Sequence, residues 1–314
     1  MTHDSHLPSF IRSPAPASYG RGYSGFFQHQ GGLAVGDAPV SWYPGTSAKH
    51  LILFVPGNPG ILAFYDPFFE SLYDELGKKV SILAHAHLGH TPKGPQSTTI
   101  GLLEQLDALL QVVDACSTHG YERVTLIGHS VGAWLAVQTM KQRLSNVDRV
   151  FTLFPTISQI ASTPNGRRLS LFFRSPMPRT LATLSLLLRP FPRSFYSLLF
   201  PSWPENQLSV LQALLGDREV IHSALTMAHS EMELIREIDV AFLTQHTDRV
   251  WAYFAETDDW VGKERETVIR TLGESDRIEH CRLKMPHAFC LNHGEPMAAR
   301  CALWYLGCEG DSVS

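Results

Sequence analysis

The sequence predicts an α/β fold with a mostly parallel sheet flanked by helices, on three observations. Short apolar runs recur at "LILFVPG" (51–57), "VSILAHAH" (80–87), "RVTLIGH" (123–129), "RVFTLFP" (149–155) and "VWAYFAE" (250–256). They are apolar throughout rather than alternating, which is the pattern of strands buried on both faces. Helix-like segments with apolar residues at helical spacing separate them, among them "IGLLEQLDALLQVVDAC", "VGAWLAVQTMKQRL" and "CALWYLG". Strand, helix, strand alternation implies right-handed crossovers in a parallel sheet.

The chain divides in order. Residues 1–25 read as a flexible N-terminal arm, because Ser13 to Gly25 ("SPAPASYGRGYSG") is rich in Pro, Gly and Ser. Residues 26–156 form the first part of the core, opening with "LAVGDAPVSWYPG", read as a strand, a turn at Gly36-Asp37 and a second strand. Strand signals lapse over 157–248, which reads as an inserted helical cap. Its segment 171–204 is apolar and aromatic, but prolines and arginines break it, and its longest apolar run (181–188) is far short of the roughly 20 residues a membrane span needs. An apolar face of such a cap could touch a lipid surface. Residues 249–308 complete the core, and 309–314 form a tail.

Composition narrows the function. The formal net charge is −4 and no long basic block is present, so a nucleic-acid footprint is unsupported. Five cysteines lack a C-x-x-C pair, which argues against a disulfide framework or a zinc site. "MTHDSHLPSF" has neither a basic nor an apolar leader segment, so a cytoplasmic location is expected, with the surface of a lipid droplet as an alternative.

"LIGHSVGAW" (126–134) places Ser130 between Gly128 and Gly132, after a strand and before a helix. That is the context of a nucleophile elbow. A sharp strand-to-helix turn strains the serine and crowds its neighbours, so small residues are needed on both sides. The turn exposes the hydroxyl and aims the backbone N–H of Val131 at a developing oxyanion, beside the positive end of the helix. A serine needs a base, and here the partners should follow in the order acid, then histidine. "AETDDWVG" puts Asp258 or Asp259 in the loop after one strand, and "MPHAFCLNHG" puts His287 in the loop after the strand-like "EHCRLK". Both loops lie on the sheet edge where α/β proteins keep their sites, and geometry favours Asp258 and His287 as orienter and base. Asp259 and His293 are the nearest decoys. Asp259 reads as a cap for a helix starting near Lys263, or as a water-facing group. The tight turn "FVPGNPG" (54–60) offers the backbone N–H of Asn58 as a second oxyanion donor.

These motifs together resemble the lipid-droplet-associated hydrolase family of α/β-hydrolases. The likeness rests on "PGNPG" with "FYDPFFESL", "GHSVGAW", "LFPTISQIASTPNGRRL", "TDDW" and "MPHAF", and runs from about Leu51 to Leu306. It implies an α/β-hydrolase fold and a serine hydrolase of carboxylic esters, with Ser130, Asp258 and His287 as its catalytic set. The family's animal members are associated with lipid droplets and sterol esters. Some fungal members open fusarinine-type siderophores in the cytosol, releasing iron, and the Pro-rich arm and charge-broken cap of this chain resemble those. Asp259 stands where the family often has proline.

The preferred expectation is therefore hydrolysis of a fusarinine-type siderophore ester. A lipid or sterol ester at a droplet surface is the alternative, with peripheral contact through the cap, and a non-catalytic droplet-surface or scaffold protein is the alternative from a different class. No cofactor and no metal is expected, although a siderophore would arrive with its own iron. The serine excludes the aspartate-nucleophile chemistry of dehalogenases and many epoxide hydrolases, while thioesterase, acyltransferase and peptidase activities share the machinery. "HAHLGH" (His85, His87, His90) has the spacing of a binuclear metal signature but carries Gly89 at the acidic position, and is read as a loop beside the site.

Overall fold

The computed structural model describes residues 7–12, 21–92, 100–281 and 283–311, with the side chains of 309–311 excepted. Nine strands form one sheet: β1 (Ile11–Arg12), β2 (Tyr23–His29), β3 (Gly36–Tyr43), β4 (His50–Val55), β5 (Ser81–His85), β6 (Arg123–His129), β7 (Val147–Leu153), β8 (Val250–Phe254) and β9 (Ile278–His280). Their spatial order is β1-β2-β3-β5-β4-β6-β7-β8-β9. The run from β5 to β9 is parallel, and β1, β2 and β3 add an antiparallel edge. The helices are α1 (Asp66–Glu75), α2 (Leu102–His119), α3 (Val131–Gln142), α4 (Pro164–Phe173), α5 (Met177–Ser185), α6 (Arg193–Leu199), α7 (Glu205–Leu215), α8 (Arg218–Leu234), α9 (Val240–Gln245), α10 (Glu264–Leu272) and α11 (Gly294–Asp311).

Burial explains the strand composition. Every residue of β5 and β8 is buried, and so is β4 beyond His50. One apolar cluster packs α2 and α3 against one face of the sheet, and a second packs α1 and α11 against the other. Helix ends follow local chemistry: the Glu104 carboxylate accepts the Gly101 N–H ahead of α2, and Gly120, at φ 109, ends that helix in a left-handed turn.

Three sequence expectations need correction here. The arm read over 1–25 is in part sheet, since Ile11 and Arg12 pair with Phe27 and Phe26, and β2 begins at Tyr23. Its residues 1–6 and 13–20 lie outside the described residues. The turn expected at Gly36-Asp37 falls instead at Gly31 and Gly32, whose φ values of 79 and 65 suit glycine, while β3 runs unbroken through Gly36 and Asp37. The 309–314 tail is helical as far as Asp311, with 312–314 outside the described residues. Between β7 and β8 lie α4 to α9, in the stretch read as a cap.

The topology fixes where loops converge. From β4 the chain crosses to β5 on one side, whereas β6 lies on the other, so the carboxyl ends of β4 and β6 border a topological switch point. The turn after β6 is extremely tight. Ser130 adopts φ 54 and ψ −121, a conformation that a side chain rarely tolerates. A Cβ on Gly132 would sit 2.2 Å from the Val55 carbonyl oxygen and 2.6 Å from that of Pro56. One on Gly128 would sit 2.3 Å from the Gly132 carbonyl oxygen. Each of these neighbours is backbone, which cannot swing aside.

Two outcomes follow from this packing. Gly132→Ala should cost about 3 kcal/mol or prevent folding, because β4 and α3 must separate to admit one methyl group. Chemical denaturation checks it, and wild-type stability in that variant would contradict the contact. Secondly, His29, His85, His87, His90 and His129 are all buried, and burial lowers each pKa, to about 4 for His29 and His90 and about 3 for His87 and His129. The unfolded chain takes up protons below pH 6.5 that the folded chain refuses, so this stability is present above 6.5 and lost as pH falls. Asp66 and Glu231, raised to about 7 by burial, act in the opposite sense but are two groups against five. The net loss reaches on the order of 10 kcal/mol near pH 4, comparable to a whole fold, so cooperative acid unfolding is expected there. Circular dichroism across an acid titration reads this directly, and a fold intact at pH 3 would refute it.

Candidate active site

The three residues expected to act together do meet. Ser130 leads α3, His287 lies in the loop before α11, and Asp258 lies in the loop after β8. Ser130 Oγ is 2.8 Å from His287 Nε2, and His287 Nδ1 is 2.7 Å from Asp258 Oδ2. Asp258 is held on its other oxygen: Oδ1 accepts the N–H groups of Trp260 at 2.8 Å and Val261 at 3.3 Å. Burial alone would raise its pKa. The hydrogen bond and charge of His287 and the two backbone donors outweigh burial and keep the carboxyl below its ordinary value. Asp258 thus stays ionised and faces Nδ1–H, the tautomer that leaves Nε2 free to accept a proton from Ser130.

The decoys lie elsewhere. Asp259 is exposed, and only its carbonyl is engaged, by the N–H of Asn165. It does not cap α10, whose N-cap is Lys263 without a side-chain bond. The His293 carbonyl accepts the Met297 N–H at the start of α11. The strand expected over "EHCRLK" shortens to β9, extended by the Cys281 N–H bond to Phe254 O; Arg282 lies outside the described residues.

The oxyanion candidates sit at the switch point. Val131 is the first residue of α3, so its N–H has no intrahelical acceptor. The turn after β4 lies against the nucleophile: a Cβ on Gly57 would come within 3.1 Å of Ser130 Cβ. The N–H of Asn58 has no acceptor among the described residues. Its side-chain amide is fully committed, because Nδ2 donates to Ala224 O at 2.9 Å and to Glu231 Oε1 at 2.8 Å. Any donation from Asn58 to substrate is therefore left to the backbone.

Several supporting residues were not found by sequence reasoning. His129 Nε2 donates to the His287 carbonyl at 2.9 Å, which leaves Nδ1 to accept the Tyr65 hydroxyl at 2.7 Å, and Tyr65 accepts the Gly57 N–H at 3.1 Å. Burial, reinforced by the neighbouring His287, keeps His129 neutral, with a pKa near 3. One chain of bonds thus joins the loop after β4, the elbow and the loop bearing His287. The "HAHLGH" histidines do not converge on one point, although the His87 and His90 rings meet edge to face at 5.4 Å. His85 points to His29, with Nε2 atoms 2.9 Å apart, whereas His87 Nε2 donates to Pro56 O at 3.0 Å and His90 Nδ1 donates to Pro59 O at 2.8 Å. Among the described residues no group of three or more His, Cys, Asp or Glu is placed to hold a metal.

A cavity of about 440 Å³ opens over Ser130 and His287. The stretch between β7 and β8 supplies much of its wall, through Phe173, Trp203, Leu211, Leu214, Ile221, Leu225 and Met232, and the rest of the chain adds Ile61, Phe64 and Trp260. The exception among these apolar walls is Glu231, whose carboxyl burial raises to about 7 against the opposing bond from Asn58. Cys290 also borders the cavity, but burial pushes its thiol up to about 12, which makes it unreactive.

Comparisons with known proteins agree with this architecture. The chain is similar to a carboxylesterase of Nitrososphaera gargenis (TM-score 0.65, 13% identity, 91% of this chain and 99% of that one). It is also similar to a loop variant of the haloalkane dehalogenase DbeA from Bradyrhizobium elkanii (TM-score 0.67, 14% identity, 92% and 99%). Likenesses at such low identity show the fold alone, which is the α/β-hydrolase fold. Among sequence relatives, the lipid droplet-associated hydrolase of Homo sapiens is 31% identical over 277 residues, covering 80% of this chain and 82% of its own length. That of Drosophila melanogaster is 26% identical over 280 residues, covering 80% and 87%. The profile of the family described as lipid-droplet associated hydrolase matches residues 48–290, from just before β4 to the loop bearing His287, and the chain therefore belongs to that family.

Proposed function

We propose that the chain is a serine carboxylic-ester hydrolase that acts on lipid esters at an apolar surface. The observation that carries this reading is the hydrogen-bonded line Ser130–His287–Asp258, whose Ser130 and His287 line a largely apolar cavity. Ser130 attacks the ester carbonyl while His287 takes its proton, and Asp258 holds the ring and stabilises the imidazolium. The N–H groups of Val131 and Asn58 receive the oxyanion. His287 passes the proton to the departing alcohol, then activates water to release the acid from the acyl-enzyme.

The siderophore substrate preferred from the sequence gives way to the lipid alternative on two counts. The relatives named above carry the lipid-droplet designation, and none is described as acting on a siderophore. Physically, an iron-loaded hydroxamate presents many polar oxygens, and burying them against Phe, Leu and Met walls would leave most unpaired. An acyl chain or sterol ring gains by the same burial.

The exposed face of the cap supports a droplet-surface location. Leu171, Phe172, Leu184, Leu187, Leu198 and Leu199 on or beside α4 to α6 are exposed, several by more than half. Exposed Arg167, Arg168, Arg174 and Arg179 accompany them and suit an anionic headgroup layer. Among the described residues no helix is long and apolar enough to cross a membrane, so the contact proposed is peripheral.

Two experiments test these points. Purified protein should react with a fluorophosphonate and hydrolyse an emulsified sterol ester while leaving an iron-loaded fusarinine intact. Ser130→Ala should abolish labelling and lower kcat by roughly 10⁴-fold or more. An unreactive wild type would instead favour the scaffold reading, and cleavage of the siderophore alone would restore the original substrate. In the second, Leu187→Glu with Leu198→Glu should reduce binding to phospholipid-coated triacylglycerol droplets about tenfold or more while turnover of a short water-soluble ester is retained. Undiminished binding would remove the cap from the contact.

A further inference from the structure

We infer that Glu231, carried by the cap, is a positioning residue that latches the oxyanion loop, so that cap placement sets the strength of the oxyanion hole. This rests on the esterase reading above, since it names a residue acting through Asn58 on the same reaction.

The argument begins with the loop. Pro56, Gly57, Asn58, Pro59 and Gly60 leave β4 with no regular backbone pairing, so side chains must hold them. Three such ties come from the core: His87 on the Pro56 carbonyl, Tyr65 beneath the Gly57 N–H, and His90 on the Pro59 carbonyl. None of these engages Asn58 itself. Among the described residues the central residue is held by α8, through the Glu231 carboxyl and the Ala224 carbonyl. With both side-chain hydrogens fixed to the cap, rotation about the Asn58 backbone is restricted, and its N–H faces no competing protein acceptor.

The latch has its own anchor. Ser230, next to Glu231, accepts the Leu102 N–H at the start of α2 at 3.1 Å, which ties this turn of α8 to the core. Glu231 is only 5% exposed. A buried carboxyl among Leu, Ile and Met side chains is costly, as the rise of its pKa to about 7 reflects, and neither packing nor an ion pair accounts for it. Holding Asn58 does account for it.

The experiment compares Glu231→Leu, which fills similar space without an acceptor, with Glu231→Gln, which keeps one, alongside Asn58→Ala and the double variant Glu231→Leu/Asn58→Ala. Removal of one oxyanion donor costs roughly 10²–10³-fold in kcat, so a loosened donor should cost about 10–100-fold. Glu231→Leu should show that loss in kcat, with KM for a p-nitrophenyl ester changing less than about threefold, and Glu231→Gln should recover most of it. Because the two residues act through one bond, the double variant should be no worse than the poorer single variant. Multiplicative losses, or a loss confined to KM, would overturn the latch. Amide hydrogen exchange over residues 57–61 provides a readout that needs no turnover. It should quicken in Glu231→Leu and stay at the wild-type rate in Glu231→Gln. Unchanged exchange in Glu231→Leu rejects the latch whatever the activity, whereas a wild type that turns over no ester but shows the exchange pattern rejects the esterase reading and keeps the latch.

Discussion

The whole site depends on one steric constraint, the contact of Gly132 with the carbonyl oxygens of Val55 and Pro56. Bringing α3 that close to the end of β4 places the turn after β6 beside the turn after β4, so that a hydroxyl and two backbone N–H groups can face one point. The strained Ser130 conformation is the local consequence, and the bond from the Ser130 N–H to Leu153 O helps to hold it. Packing between α3 and the sheet must offset that strain, which is why the helix following the elbow is buried on most of its surface: Val131, Ala133, Leu135, Ala136, Val137 and Met140 all lie in the core.

The polar supports are arranged so that none of them spends a charge. His129 is neutral and fixed in one tautomer because its two partners are of opposite kinds, a carbonyl on one nitrogen and a hydroxyl on the other. A charged imidazolium there would oppose the imidazolium that the proposed mechanism forms on His287, and burial prevents it. His87 and His90 are likewise neutral donors to carbonyls. Among the described residues the carboxylate bonded to the His287 ring is Asp258, itself held by two backbone N–H groups, while the His287 carbonyl accepts from neutral His129.

Residues whose roles follow from strand ends were legible in the sequence. Ser130 falls directly after an apolar run, Asp258 shortly after another and His287 in the loop after the strand-like "EHCRLK", and a parallel sheet sends all such loops to one edge. The glycines of the elbow were legible because the crowding they relieve is local. The supports were not. Tyr65 and His129 are separated by 64 positions and make sense only as a pair. Glu231 looks in sequence like any solvent-facing residue of an amphipathic helix, and which face of α8 turns inward depends on how the cap sits. The histidines of "HAHLGH" alternate along the end of a strand, so His85 and His87 share a side in spacing alone; the chain turns after β5, and His87 and His90 reach the loop after β4 while His85 does not. The misplaced turn has the same origin. "GGLAVGD" contains two glycine signals, and pairing of β3 with β2 decides between them by extending β3 through the second.

The cap therefore enters the chemistry in two ways. Its apolar side chains form a wall on which an apolar ligand would gain free energy by leaving water. Through Asn58, its helix α8 also holds the loop that would receive the oxyanion. The two roles are linked mechanically, because Leu225 and Met232 project into the cavity from the helix that carries Ala224 and Glu231. Under the proposed function, a ligand that fills the cavity would press on the helix that holds Asn58. Binding energy gained far from the scissile bond thus has a structural route to the transition state, and an acyl group too short to reach α8 would forgo it.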